Sequence, residues 1–245
     1  MSDHIYDELA DSYARSSASG PPNALYDRPT ILRLLGPLRD RHVLELGCAA
    51  GHLTHELVAA GAHVVALDKS ERMVSHARNR VGDHARIEVA DLREPLHMVD
   101  GASMDLVVAS LVLHYLPDWH GVLREIHRVL EPGGALVMSV HHPITGWLRS
   151  DRTDYHRVEL IEEAWDVDGI QTTAHLWRRP VSAVFAPLLE QGLAIDAVHE
   201  PSPGLDEHAV PDGRVRRALN ASPVFLFVRA IRPVRPGVTL PLPPR

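Results

Sequence analysis

The chain has 245 residues, of which 45% are hydrophobic and 23% charged, with a formal net charge of −7. No run approaches the ~18 apolar residues of a membrane span, and no basic surplus is present to hold a phosphate backbone, so neither membrane nor nucleic acid is expected as a partner. The single Cys48 leaves no internal disulfide or Cys-rich zinc site, and the acidic start (Asp3, Asp7, Glu8) lacks the pattern of a secretory signal, so a cytoplasmic protein without a metal centre is expected.

Ile5, Leu9 and Tyr13, flanked by Tyr6 and Ala10, recur at helical spacing and predict a short amphipathic helix before the breaker-rich stretch 16–22. Pro29 can open a second helix that buries Ile31, Leu32, Leu34, Leu35 and Leu38, with Gly36-Pro37 ending it. Residues 1–40 are read as a helical arm and 41–231 as the main domain. A strand over 42–46 runs into Glu45-Leu46-Gly47-Cys48-Ala49-Ala50-Gly51 and a helix over 51–60, and a second strand over 63–68 ends on Asp68 before a helix over 71–81. The glycines let the backbone turn sharply and approach a ligand closely. Asp68 follows Gly47 by about twenty residues, the spacing at which a doubly wound sheet places a carboxylate on ribose hydroxyls. A ribose-bearing cofactor is therefore expected. Glu45 would repel a pyrophosphate but suits a ligand with an ammonium and a sulfonium, and the third glycine of a dinucleotide turn is missing, which disfavours a nicotinamide-dependent oxidoreductase.

Further strands are expected over 86–90, ending at Asp91, and over 104–109, then a helix over 119–130 stopped by Glu131-Pro132-Gly133-Gly134, and a fifth strand over 135–140. Such alternation implies a parallel sheet. Residues 143–179 break the rhythm and concentrate Trp147, Tyr155, Trp165 and Trp177 among charged residues, which reads as a lid or substrate-binding insertion. A helix over 180–192 and strands over 193–199 and 224–231 complete an α/β, Rossmann-like, seven-stranded, mostly parallel sheet with helices on both faces. The proline-rich tail, 232–245, is expected to be disordered or loosely packed.

With Glu45, Gly47, Gly51, Asp68 and Asp91 in this order, the chain resembles the class I S-adenosylmethionine-dependent methyltransferases of the small-molecule, natural-product type, with Ala49 in place of the middle glycine of their first motif. The resemblance implies that Glu45, Gly47, Cys48, Ala49 and Gly51 wrap the methionine end of S-adenosylmethionine. It implies that Asp68 binds the ribose, that Lys69 and Met73 flank the adenine, and that Asp91 and Leu92 read the adenine edge. Ser110 would present a backbone carbonyl to the ammonium, and Tyr13 or Tyr6 would cover the cofactor. Arg15 is a further carboxylate partner or an exposed surface arginine. The Asn/Asp-Pro-Pro-aromatic motif of amino-group methyltransferases is absent, Ala109-Ser110-Leu111-Val112 standing in its place.

Methyl transfer from a sulfonium mainly needs alignment of nucleophile and methyl, but an acceptor that must lose a proton needs a base. His114, His141 and His142 lie just past the fourth and fifth strands and are the candidate catalytic residues, each equally readable as structural. Adjacent strand residues face opposite ways, so the His141-His142 pair is not read as a chelate. The expected activity is methylation of oxygen, carbon or nitrogen on a small aromatic acceptor, releasing S-adenosylhomocysteine, by a monomer or homodimer. A cyclase or rearrangement catalyst on the same fold, or a non-catalytic cofactor-binding regulator, fits the same residues.

Overall fold

In the computed structural model, which describes residues 5–234, the first predicted helix is divided into α1 (Ile5–Glu8) and α2 (Ala10–Ser19). Helix α2 continues into the serine-rich stretch because Ser17 Oγ donates back to the Tyr13 carbonyl at 2.7 Å, which satisfies the hydroxyl inside the helix. Its buried line is Ala10, Ala14 and Ser17, small residues that let it lie close on Met73 and Ala50. A π-helical turn, Pro22–Asp27, then joins α3 (Arg28–Leu35), whose Ile31 and Leu35 are buried while Leu32 and Leu34 are partly so. Most of the tail lies outside the described residues.

The alternation follows as expected: β1 (His42–Leu46), α4 (His52–Ala59), β2 (His63–Asp68), α5 (Glu71–Val81), β3 (Ala85–Val89), β4 (Met104–Ser110), α6 (His120–Val129) and β5 (Leu130–His141). Strand β1 pairs parallel with β2 and β4, β2 with β3, and β4 with β5. Strand β5 starts earlier than the Glu-Pro-Gly-Gly run predicts. The reason is a close backbone approach at Gly134, where a Cβ would sit 2.9 Å from the Asp105 carbonyl oxygen.

Residues 143–179 are not irregular: they form α7 (Pro143–Arg149) and a separate antiparallel hairpin of β6 (Glu159–Val167) and β7 (Ile170–Arg178). Then come α8 (Ser182–Glu190), β8 (Ala194–His199), α9 (Gly213–Ala221) and β9 (Phe225–Ile231). Helix α9 has its own start signal in Asp212, whose carboxylate caps Arg214 and Val215. The main sheet has the order β3-β2-β1-β4-β5-β9-β8, with β9 antiparallel to both neighbours.

Strand alternation feeds two apolar layers. Leu44, Leu46, Val107 and Ala109 face one, with Trp119 and Leu123, while Val43, Leu106 and Val108 face the other, with Ile31, Leu57 and Phe227. A sheet covered on both faces leaves the carboxyl ends of its parallel strands as the place for a ligand. No described helix is long and apolar enough to cross a membrane.

Candidate functional site

At those strand ends the chain encloses a cavity of about 470 Å³. The strand order sets out its polar lining as a row: Asp91 after β3, Asp68 ending β2, Glu45 and the Gly47 turn at β1, and Ser110 ending β4. Tyr6 and Tyr13 from the first helices, Asp27 and Arg28 from the π-helical turn, and Leu160, His175 and Trp177 from the β6–β7 hairpin close it.

The turn after β1 is held from beneath and in front. Gly47 and Cys48 both donate backbone N–H groups to the Leu67 carbonyl, at 2.8 and 3.0 Å. The Ala49 N–H donates to Asp68 Oδ2 at 2.8 Å, and Ser70 N–H to Oδ1 at 2.9 Å. Ala49 accepts a left-handed conformation, φ 45°, so a methyl group stands where the related motif has glycine without opening the turn. Gly47 and Gly51 are also left-handed, for different reasons. A Cβ on Gly47 would fall 2.5 Å from Val112 Cγ2, whereas one on Gly51 would meet Ala77 on α5 at 2.9 Å. Gly47 lines the cavity, while Gly51 caps α4 and lets it pack. Gly47→Ala is expected to cost about 1–3 kcal/mol by chemical denaturation, and a Val112→Ala partner should recover the steric part while the positive-φ strain persists. A fully additive double variant would contradict the contact.

The acidic groups are unequal. Glu45 is buried, accepts from Thr54 Oγ1 at 2.6 Å, and is pushed up to about 7 by burial. Asp68 is also raised by burial, against its backbone hydrogen bonds. Asp91 is held well below the usual carboxylate range by hydrogen bonds from Arg93, with Lys69 3.2 Å away. Asp27, which sequence reasoning missed, is buried beside Ser110, whose hydroxyl donates to its Oδ2 at 2.5 Å, and burial lifts it to about 6. Its Oδ1 is buried and has no hydrogen-bond partner among the described residues.

The aromatic wall is neutral. The Tyr6 and Tyr115 hydroxyls are hydrogen-bonded, and Tyr6 meets Tyr13 and Tyr115 edge-on at 4.9 and 5.7 Å between ring centroids. Burial raises all three phenols, Tyr13 to about 12, so none is a proton acceptor near neutrality. Arg15 lies outside the cavity lining and forks Asp168 at the hairpin turn, 2.6 and 2.9 Å away.

The structure brings Tyr13, Glu45, Gly47, Cys48, Ala49, Asp68, Lys69, Asp91, Leu92 and Ser110 to one cavity. Met73 is elsewhere: fully buried, it packs under Ala10, Ala14 and Ala50. The three strand-end histidines are also elsewhere, around a second cavity of about 20 Å³. His114 is buried in a short 3₁₀ turn (Leu113–Tyr115), its ring 4.5 Å from His141 and 4.6 Å from Tyr115, and burial holds it well below its usual pKa. His142 caps α7, its Nδ1 accepting from Ile144 N–H at 3.2 Å, with Nε2 2.6 Å from Glu200. They turn away because β5 carries His141 against Phe225 of β9, and the chain then enters α7. The imidazoles lining the large cavity are His52, engaged with the Ala14 carbonyl at 2.9 Å, and His175 on β7, its Nε2 3.4 Å from Glu162. Of the four aromatics singled out in 143–179, Trp177 lines the cavity; Trp147 meets Tyr155 edge-on, and Trp165 packs beneath the hairpin.

Residues 44–138 match a family model described as a methyltransferase domain. The chain is similar to a demethylmenaquinone methyltransferase of Clavibacter sepedonicus, 31% identical over 55% of each chain. It is also similar to a thiol S-methyltransferase of Homo sapiens, 30% identical over 62% of this chain and 63% of the relative. The chain thus spans little more than half the length of these curated relatives. Among solved structures, an S-adenosylmethionine dependent methyltransferase from Mesorhizobium loti is 28% identical with a TM-score of 0.65, covering 83% of this chain and 96% of that one.

Proposed function

We propose that the chain is a class I S-adenosylmethionine-dependent methyltransferase that methylates a small acceptor with a flat apolar body, which enters beneath the β6–β7 hairpin. The observation that carries the reading is the row of groups along the strand ends. Leu92 and Asp91 suit an adenine, Asp68 a ribose diol, and Glu45, Gly47 and Ser110 an amino-acid end. The residues fit the cofactor by chemistry as well as order, since a cationic ligand would meet two buried carboxyl groups, Glu45 and Asp27, to which no described lysine or arginine is bonded.

The bound cofactor would supply a methyl group already activated by its sulfonium. The chain's own work is to align, to exclude water and to take a proton. Tyr6, Tyr13 and Tyr115 enclose the space beside the Gly47 turn with neutral rings, whose negative faces favour a cation without competing for its methyl. Leu160 and Trp177 offer apolar surface for the acceptor. His175, next but one to Trp177 and on the same face of β7, is the residue we assign to receive an acceptor proton. The relatives named for demethylmenaquinone and for thiols support a small-molecule acceptor; the aromatic preference rests on Trp177 and the tyrosines.

Release of S-adenosylhomocysteine in the presence of phenol, thiol and amine acceptors tests the reading. With a productive acceptor, His175→Asn should lower kcat by about a hundredfold or more, from the low end of general-base effects upward, and leave S-adenosylhomocysteine affinity unchanged. An unchanged kcat removes the base assignment. Cofactor binding with no release for any acceptor would overturn methylation in favour of a non-methylating use of the fold.

A further inference from the structure

Two buried carboxyl groups, Asp27 and Glu45, line the cavity from opposite origins. Glu45 belongs to the turn after β1 and gives one oxygen to Thr54 of α4. Asp27 comes from outside that motif, at the end of the π-helical turn Pro22–Asp27. It is 3% exposed, with Oδ2 taking the Ser110 hydroxyl and Oδ1 buried without a hydrogen-bond partner among the described residues. A buried carboxylate with one oxygen unmet is costly unless a cation or a donor meets it. Its chain neighbour Arg28 does not bond to it: that guanidinium is 3.2 Å from Glu56 and donates to the Ser17 carbonyl at 2.9 Å.

We propose that Asp27 receives the α-ammonium group of the cofactor, with the Ser110 hydroxyl fixing its carboxylate. The assignment rests on the reading of the cavity as an S-adenosylmethionine site and makes the N-terminal segment a part of that site. It divides the labour at the strand ends. Asp68 stays with the ribose, the Gly47 turn with the methionine backbone, and Asp27 with its charge. The irregular π turn has a consequence here, because a helix of regular pitch continuing into α3 would carry residue 27 on a different face.

The groups acting on Asp27 are known from each side. Burial raises its affinity for a proton and outweighs the Ser110 hydrogen bond and the nearby Ser139, Arg28 and His141, which lower it. The free protein therefore keeps a proton on Asp27 up to a higher pH than an exposed aspartate would. An arriving ammonium must expel that proton. Affinity for the cofactor then rises as pH increases through about 6, and binding at that pH releases about half a proton.

The test is calorimetric titration of the full chain with S-adenosylhomocysteine and with its deaminated analogue, in buffers of different ionisation enthalpy. For wild type, S-adenosylhomocysteine should bind roughly ten- to a hundredfold more tightly than the deaminated analogue. Asp27→Asn should erase that difference, weaken S-adenosylhomocysteine by the same factor, leave the analogue unchanged, and remove about half a proton of release near the apparent pKa. Equal weakening of both ligands in Asp27→Asn would show a packing role and overturn the proposal, as would unchanged affinity for both. If Asp27→Asn does not fold, wild type alone decides. Equal affinity for the two ligands with no proton released rejects Asp27 while leaving the cofactor site standing. Failure of wild type to bind S-adenosylhomocysteine rejects the site reading itself.

Discussion

Asp68→Ala is expected to weaken S-adenosylhomocysteine binding by about 1.5–3 kcal/mol, the range for losing charge-assisted hydrogen bonds. The carboxylate has two tasks. The protein donates to both oxygens, to Oδ2 from Ala49 N–H at 2.8 Å and to Oδ1 from Ser70 N–H at 2.9 Å, with the Lys69 backbone a third donor. A ribose diol needs two acceptors side by side, which the two carboxylate oxygens present. Removing the side chain loses the diol and also frees the Ala49 N–H, which holds a left-handed alanine in the turn. The fold should suffer less than the affinity. Burial raises the Asp68 pKa, so its charge is carried at a cost that alanine removes. Asp68→Asn keeps one acceptor and should fall between alanine and wild type. Titration calorimetry and thermal denaturation on the same samples separate the two effects, and unchanged affinity in Asp68→Ala would contradict the ribose assignment.

Trp119→Ala should destabilise the chain by about 3–5 kcal/mol, as truncation of a buried tryptophan does. For a chain of this size that lowers the melting temperature by roughly 6–20 °C. Trp119 is 1% exposed and lies at the centre of the apolar layer under α6. Its Nε1–H donates to the Leu113 carbonyl at 2.7 Å, and the Arg179 guanidinium lies 3.8 Å from its ring centroid. Arg179 in turn donates to the Leu116 carbonyl at 2.7 Å, and burial without a bonded carboxylate pulls it down to about 10. The two side chains brace both ends of the turn that carries Tyr115 into the cavity wall. Trp119→Phe keeps most of the packing, loses the N–H donor, and should cost about 1–2 kcal/mol. A loss below about 1 kcal/mol for Trp119→Ala would show that the site collapses around the void and that the brace is dispensable.

The alternating core was legible because β1, β2, β4 and the helices between them have unbroken periodicity, and because Gly47 and Asp68 stand at a spacing imposed by one βαβ unit. The hairpin was not predicted, 143–179 being read only as a lid or substrate-binding insertion, yet the sequence carries its signal. Asp168-Gly169 sits between two nine-residue runs, and both residues adopt positive φ, the conformation that favours Asp-Gly in a two-residue turn. Aromatic density drew attention to Trp147, Tyr155, Trp165 and Trp177, and that density is mostly packing, with Trp177 alone of the four on the cavity. His114, His141 and His142 were placed by strand ends, but a strand end fixes a backbone position and leaves the direction of a side chain to its neighbours. Asp27 had no local signal. A lone aspartate after a proline-rich stretch reads as surface until the π turn and β4 bring it against Ser110.

The most direct test of the account is calorimetric titration of the full chain with S-adenosylhomocysteine near neutral pH. Saturable one-to-one binding, weakened roughly tenfold or more in Asp68→Ala, is the result the row of strand-end groups predicts. No heat of binding at millimolar ligand, with the chain folded, would contradict it.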